Sequence, residues 1–187
     1  EMAHVKPVLE CGPDGIIFPM VNTAEEAAHC VSICTYPPKG TRGFGPSRGI
    51  DYGTKSFDEY LETADQNVLK ILQCEHVEAV KNLDEILEVP GVDAIICGPM
   101  DLSGSVGKMS KFTDPEVHGL MQTIIDKCKA HDMPFGLSYG LLDIELMNFF
   151  VGQGASFFSL GTPLDYFREM SRDVIRQARE AEAKRTV

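Results

Sequence analysis

Two rhythms of apolar residues alternate along this chain. Short, nearly unbroken apolar runs near residues 15–20, 68–74, 92–98, 134–138 and 156–160 read as buried β-strands. The stretches between them repeat apolar residues every three or four positions, the spacing that gives a helix one buried face. Met2, Val5, Val8 and Leu9 set such a face over residues 1–10, and Cys11-Gly12-Pro13-Asp14-Gly15 stops it. Asn22 or Thr23 caps the next helix, with Glu25 and Glu26 in its first turn. Further helices are predicted near 56–66 and over about 76–87, the latter on Val77, Val80, Leu83, Ile86 and Leu87. Asp114-Pro115-Glu116 opens a helix to about His131, Leu141 to Gly152 forms another, and a long helix with a charged outer face runs over about 163–183. Strands buried on both faces, alternating with helices, predict an α/β domain with a parallel sheet and right-handed crossovers.

The strand–helix–strand unit at residues 68–98 is the one with visible chemistry. Val68-Leu69-Lys70-Ile71-Leu72 leads into Gln73-Cys74-Glu75, and Val92-Asp93-Ala94-Ile95-Ile96-Cys97 leads into Gly98-Pro99-Met100-Asp101-Leu102-Ser103. Neighbouring parallel strands lie about 4.8 Å apart, so both carboxylates emerge at one end of the sheet, close enough for one cation to join them. Without a cation they repel, and one pKa rises. A divalent ion such as Mg²⁺ or Mn²⁺ suits two carboxylates plus water and substrate oxygens. The competing reading of the same spacing is structural: Glu75 opens the next helix and Asp101 caps a turn. Residues from Asp101 on, through Gly104-Ser105-Val106-Gly107-Lys108, read as a flexible loop.

Composition narrows the picture. The 187 residues are 43% hydrophobic with a net charge of −11 and no basic cluster, which argues against nucleic acid and anionic membranes as partners. No apolar run approaches the roughly 20 residues of a membrane span, and the first residues do not read as a signal peptide. Six cysteines with no C-x-x-C pair and no histidine cluster read as buried thiols in a reducing cytoplasm rather than a zinc site. Residues 1–187 read as one domain.

The stretch Tyr36–Gly49 is a long loop rich in Gly, Pro and Arg, and long loops in compact domains tend to have a function. It lacks the strand–turn–helix context of a dinucleotide fingerprint. Arg42 and Arg48 have two readings: bidentate contacts to a substrate carboxylate or phosphate, or ion pairs with acidic residues at a surface or subunit interface. No lysine follows a strand end in the position a Schiff base needs, since Lys70 lies inside a strand.

Five segments together resemble the HpcH/HpaI aldolases, metal-dependent class II pyruvate aldolases of the phosphoenolpyruvate/pyruvate superfamily. They are Phe18-Pro19-Met20-Val21-Asn22-Thr23-Ala24-Glu25, Tyr36-Pro37-Pro38-Lys39-Gly40-Thr41-Arg42-Gly43, Gln73-Cys74-Glu75, Val89-Pro90-Gly91-Val92-Asp93 and Gly98-Pro99-Met100-Asp101-Leu102-Ser103, in family order over residues 5–165. The resemblance implies a (β/α)₈ TIM barrel, of which this chain holds about five strands, the C-terminal portion. It implies Glu75 and Asp101 as ligands of a divalent metal (Mg²⁺, Mn²⁺ or Co²⁺). It puts Gln73 beside bound pyruvate and the backbone of Met100 and Asp101 on the pyruvate carboxylate. It further implies a 2-oxo acid and an aldehyde as substrates, and a homo-oligomer, commonly a hexamer, with the last helix exchanged between subunits.

A full barrel takes about 250 residues. The family's catalytic His and the Arg that holds pyruvate belong to its first three strands, and no residue here matches them. The runner-up within the superfamily is an acyl-CoA lyase of the citrate or malyl-CoA type, against which the Tyr36–Gly43 segment argues. A non-catalytic, metal-binding remnant is the alternative outside enzyme function.

Overall fold

The computed structural model describes residues 2–139 and 143–185. Its elements alternate as the apolar pattern predicts. They are α1 (Met2–Glu10), β1 (Gly15–Phe18), α2 (Ala24–Cys34), α3 (Phe57–Thr63), β2 (Leu69–Cys74), α4 (Val77–Lys81), α5 (Leu83–Leu87), β3 (Ala94–Cys97), α6 (Pro99–Ser105), α7 (Pro115–Ala130), β4 (Phe135–Tyr139), α8 (Ile144–Gly152), β5 (Phe157–Leu160) and α9 (Pro163–Ala183). The five strands are all parallel and lie in the order β1-β2-β3-β4-β5. The sheet curls as part of a (β/α)₈ barrel. Consecutive strands are neighbours, so every helix returns the chain on the same outer side, the consequence of right-handed crossovers around a barrel.

Alternation along the strands sorts the side chains. On β2, Lys70, Leu72 and Cys74 are buried under the helices, while Leu69, Ile71 and Gln73 face the concave side. The register pairs Ile17 with Ile71 and Ile71 with Ala94, so the concave face is continuous across strands. The main core therefore lies between the outer face of the sheet and the helices. Leu72, Ile95 and Leu137 meet Leu83, Ile124, Ile125 and Phe150 there, each almost fully buried. Each such side chain contributes about 1.5–3 kcal/mol by leaving water.

Caps fix where the helices begin. Thr23 caps α2 by accepting from the Glu26 N–H. Ser56 and Glu59 form a reciprocal box on α3, as Thr162 and Asp165 do on α9. Asp114 caps α7 with Pro115 in its first turn. Two expectations are revised. The single helix over 76–87 is two, broken at Asn82, whose side-chain amide leaves the helix to donate to the Asn22 carbonyl at 2.9 Å. The segment after β3 is helix α6, not a loop: Pro99 sits in its first turn, and the Ser103 and Ser105 hydroxyls donate back to the Met100 and Leu102 carbonyls. Leu141 and Leu142, the expected start of the helix before Gly152, and Glu1 of the first helix lie outside the described residues; α8 begins at Ile144, capped by Asp143.

Candidate functional site

The alternation that sends Cys74 under the helices turns Gln73 and Glu75 to the concave side, at the C-terminal end of β2. Glu75 is buried, 3% exposed, and each carboxylate oxygen accepts one hydrogen bond. The Met20 N–H, two residues past β1, donates to Oε1 at 2.8 Å, and the Gln73 amide donates to Oε2. Gly98, the first residue after β3, closes this arrangement. A Cβ there would lie 2.5 Å from Glu75 Oε2 and 2.7 Å from Gln73 Nε2. Only a residue without a side chain lets the two strand ends come so close.

Asp101 stands on the first turn of α6 and is exposed, as is Met100 beside it. The charge of Asp101 reaches Glu75. Burial raises the Glu75 pKa above the ordinary carboxylate value and the negative Asp101 raises it further, while the Met20 N–H and the Gln73 amide act against both. Glu75 is thus a carboxylate whose charge the fold disfavours and whose hydrogen bonds are built for the charged form. A cation resolves that conflict. Among the described residues no three His, Cys, Asp or Glu side chains gather as a metal cluster. Two carboxylates such as Glu75 and Asp101 would fit a hard divalent ion that keeps water and substrate oxygens, and would not fit a closed structural zinc site. The backbone N–H groups of Met100 and Asp101, in the first turn of α6, are free of intrahelical partners.

The other sequence candidates sit elsewhere. Arg42 is 2% exposed, its guanidinium 4.5 Å from the Tyr36 ring centroid and paired with Glu10 at 3.4 Å. It borders a cleft of about 630 Å³ together with Arg48, Asp14 and Asn67. Asp14 immediately precedes β1, and Asn67 and Val68 lead into β2, so this cleft is at the opposite end of the strands from Glu75. Of the two readings of Arg42, the ion pair is the one found, and it is buried rather than at a surface. Lys70 is buried in β2, bonded to Asp93 and to the Asp65 carbonyl. His76 spends Nδ1 on the cap of α4, His131 faces Asp84, and His118 stacks on Phe149. Met20 and Gly98 are the contacts that sequence reasoning missed. Both lie inside segments it quoted, but neither residue type signals a carboxylate contact.

A curled parallel sheet with Gln73, Glu75 and Asp101 at the C-terminal ends of its strands is part of a (β/α)₈ barrel of the kind that carries enzyme chemistry at that mouth. The chain belongs to the HpcH/HpaI aldolase/citrate lyase family, whose model matches residues 2–169. It is 36% identical over 185 residues to a 2-dehydro-3,6-dideoxy-6-sulfogluconate aldolase of Pseudomonas putida, a match covering 96% of this chain and 71% of that one. It is also 36% identical over 171 residues to a 2-keto-3-deoxy-L-rhamnonate aldolase of Salmonella typhi, covering 89% and 62%. The crystal structure of an HpcH/HpaI aldolase from Desulfitobacterium hafniense superposes with a TM-score of 0.87 at 28% identity, covering 96% of this chain and 69% of that one. The chain therefore spans about two thirds of the length of these relatives. Relatives named as aldolases are carbon–carbon lyases.

Proposed function

We propose that this chain supplies the metal- and pyruvate-binding wall of a class II aldolase that reversibly cleaves a 4-hydroxy-2-oxo acid to pyruvate and an aldehyde. The observation that carries the reading is the buried Glu75 carboxylate, held by Met20 and Gln73 and exposed to the charge of Asp101. Glu75 and Asp101 would hold a divalent ion, Mg²⁺, Mn²⁺ or Co²⁺, which when bound would supply Lewis-acid stabilisation of the negative charge that develops on carbon–carbon cleavage. Gln73 lies against one side of the bound 2-oxo acid, and the free N–H groups of Met100 and Asp101 receive its carboxylate. Lys70, tied to Asp93, is no Schiff-base nucleophile. The reaction also needs a general base and a cation for the substrate carboxylate. His76, His118 and His131 are engaged away from Glu75 and do not supply that base.

Two 36%-identical relatives are named as aldolases of 2-oxo sugar acids, which supports a free acid as substrate over an acyl-CoA. The family description also names citrate lyase, so saturable CoA binding is the result that would favour that alternative. One face of α9 supports self-association: Leu164, Phe167, Met170, Val174 and Ile175 form one exposed apolar stripe, opposite the charged face. We read it as the surface that exchanges between subunits of a homo-oligomer. Phe167→Glu then lowers the oligomeric state in light scattering, and an unchanged mass would rule that out.

The test of the chemistry is deuterium exchange into the pyruvate methyl group, followed by NMR, with and without Mn²⁺ or Mg²⁺. Metal-dependent exchange that is lost in Glu75→Gln supports enolate formation. Metal binding without exchange limits this polypeptide to the metal-binding part of the barrel. Neither binding nor exchange overturns the reading for this polypeptide.

A further inference from the structure

Met20 has a left-handed backbone, φ 55°, although it is not glycine. A non-glycine residue in that region is uncommon, and it persists where the surroundings force it. The Met20 side chain does not explain it, because it is half exposed at 47%. The backbone is what is held. The Met20 N–H donates to Glu75 Oε1 at 2.8 Å, and the Met20 carbonyl accepts from the Asn22 side-chain amide at 3.1 Å. The Asn22 N–H is bound to Glu26 at 2.7 Å, and the Asn22 carbonyl accepts from the Asn82 amide at 2.9 Å. Asn82 is the residue that breaks the helix following Glu75. A chain of hydrogen bonds thus leads from the α4–α5 break through Asn22 to Met20 and ends on the buried carboxylate.

We infer that Met20 is a positioning residue for Glu75: its left-handed backbone, locked by Asn22 and Asn82, aims one N–H at Oε1 and so leaves a single orientation of the carboxylate for a cation. The inference rests on the cation reading of Glu75 given above. It deepens that reading by assigning the orientation of the ligand to the end of β1, a strand that contributes no ligand itself. Gln73 performs the same task at Oε2 from within β2. The carboxylate is thus held from two strands and can turn only if one of them gives way.

The test separates backbone from side chain. Met20→Ala removes the thioether and keeps the N–H. Met20→Gly also keeps the N–H and favours φ > 0. Met20→Val resists the left-handed region because of its β-branch. Mn²⁺ affinity, read from the EPR signal of the free ion, is expected to stay within about twofold of the parent for Ala and Gly. For Val it is expected to weaken about tenfold, the lower end for loss of a contact to a metal ligand. Asn22→Ala, which frees the Met20 carbonyl, weakens it in the same direction and stands in should Met20→Val fail to fold. The residue-20 amide proton resonance gives a readout independent of any metal: it is shifted downfield in the parent, Ala and Gly proteins, and moves upfield in Glu75→Ala. Parent-like affinity in both Met20→Val and Asn22→Ala, or an amide resonance indifferent to Glu75→Ala, overturns the inference. A parent that binds no Mn²⁺ while its residue-20 amide still responds to Glu75→Ala overturns the cation reading and leaves the contact standing.

Discussion

The carboxylate of Glu75 occupies the space that a side chain on Gly98 would need, with Oε2 2.5 Å from the position of the absent Cβ. The same Cβ would meet Glu75 Cβ at 2.8 Å, so rotating the carboxylate does not relieve the clash. The end of β3 and the end of β2 are thereby matched to each other. Gly98→Ala is expected to cost about 1–3 kcal/mol of stability by overpacking. It also displaces Glu75 from the Met20 N–H, so Mn²⁺ affinity falls at least tenfold. Urea unfolding and Mn²⁺ EPR measure the two effects. A variant that loses stability but keeps full affinity would show that the close approach serves packing alone.

The raised pKa of Glu75 has a consequence of definite sign. The folded protein holds the proton on Glu75 more tightly than the unfolded chain does, because burial and the charge of Asp101 oppose ionisation. The stability from this group is fully present below the ordinary value of 4.5 and is lost as pH rises through the folded pKa. Above the ordinary value, Glu75 of the metal-free protein therefore works against the fold. Glu75→Gln removes the ionisable group and keeps the hydrogen bonds: its amide oxygen accepts from Met20, and Gln73 turns its amide to accept from the new NH₂. The variant is expected to melt higher than the metal-free parent at pH 7, and no higher at pH 4. Mn²⁺ raises the melting temperature of the parent only. Calorimetry at the two pH values decides, and a lower melting point for Glu75→Gln at pH 7 would contradict the argument.

The alternation of strands and helices was legible because the two apolar periods differ and because Asp114-Pro115 and Ser56 announce their helices. Glu75 and Asp101 were legible as acidic residues just past strand ends, where barrel enzymes hold their chemistry, and Gln73 only through the family resemblance. What was not legible has physical causes. The left-handed turn at Met20 has no glycine to signal it, since it is imposed by Asn22 and Glu75 from other parts of the chain. The residues from Asp101 on read as a loop, yet the fixed φ of Pro99 just before them starts α6. Asn82 looked like an ordinary helical position until its amide was found on Asn22. Arg42, inside a Gly- and Pro-rich stretch, read either as a substrate contact or as an ion pair at a surface or subunit interface. Its burial comes from Tyr36 and Glu10, six and thirty-two positions away in sequence.

Arg42 gives a prediction about stability without function. Its guanidinium is buried against Glu10 and Tyr36, with Nε and Nη1 lacking partners. Arg42→Met keeps the stem and deletes the charge, leaving Glu10 with Lys6 as its cation. The expected loss is about 2–4 kcal/mol. Adding Glu10→Gln recovers part of it, because the mostly buried carboxylate is then no longer balanced by the partly exposed Lys6 alone. Chemical denaturation of the single and double variants measures this. Metal affinity should not change, because Arg42 lies at the opposite end of the strands from Glu75. A loss of Mn²⁺ binding in folded Arg42→Met would contradict that separation.

The cysteines report on which side of the sheet opens. Cys74 and Cys97 are register partners on β2 and β3 and point outward, under the helices, where Cys128 of α7 also lies in the core. Burial pushes the Cys74 and Cys128 thiols up to about 12 and the Cys97 thiol well above the ordinary value. Cys30 and Cys34, on the buried face of α2, are pushed up to about 11 by the same cause. Cys11 alone is exposed. The thiolate is the reactive form, so at pH 8 a thiol reagent such as DTNB should modify one of the six cysteines rapidly, and none in Cys11→Ser. The others should react only as fast as the helices lift from the sheet. Mn²⁺ bound at the mouth, as proposed for Glu75, would slow that second phase only if tying β2 to α6 also tightened the helical layer. If Cys74 and Cys97 instead react as fast as Cys11, the layer between sheet and helices is open in solution, and the packing that sets Glu75 in place is not the packing described here.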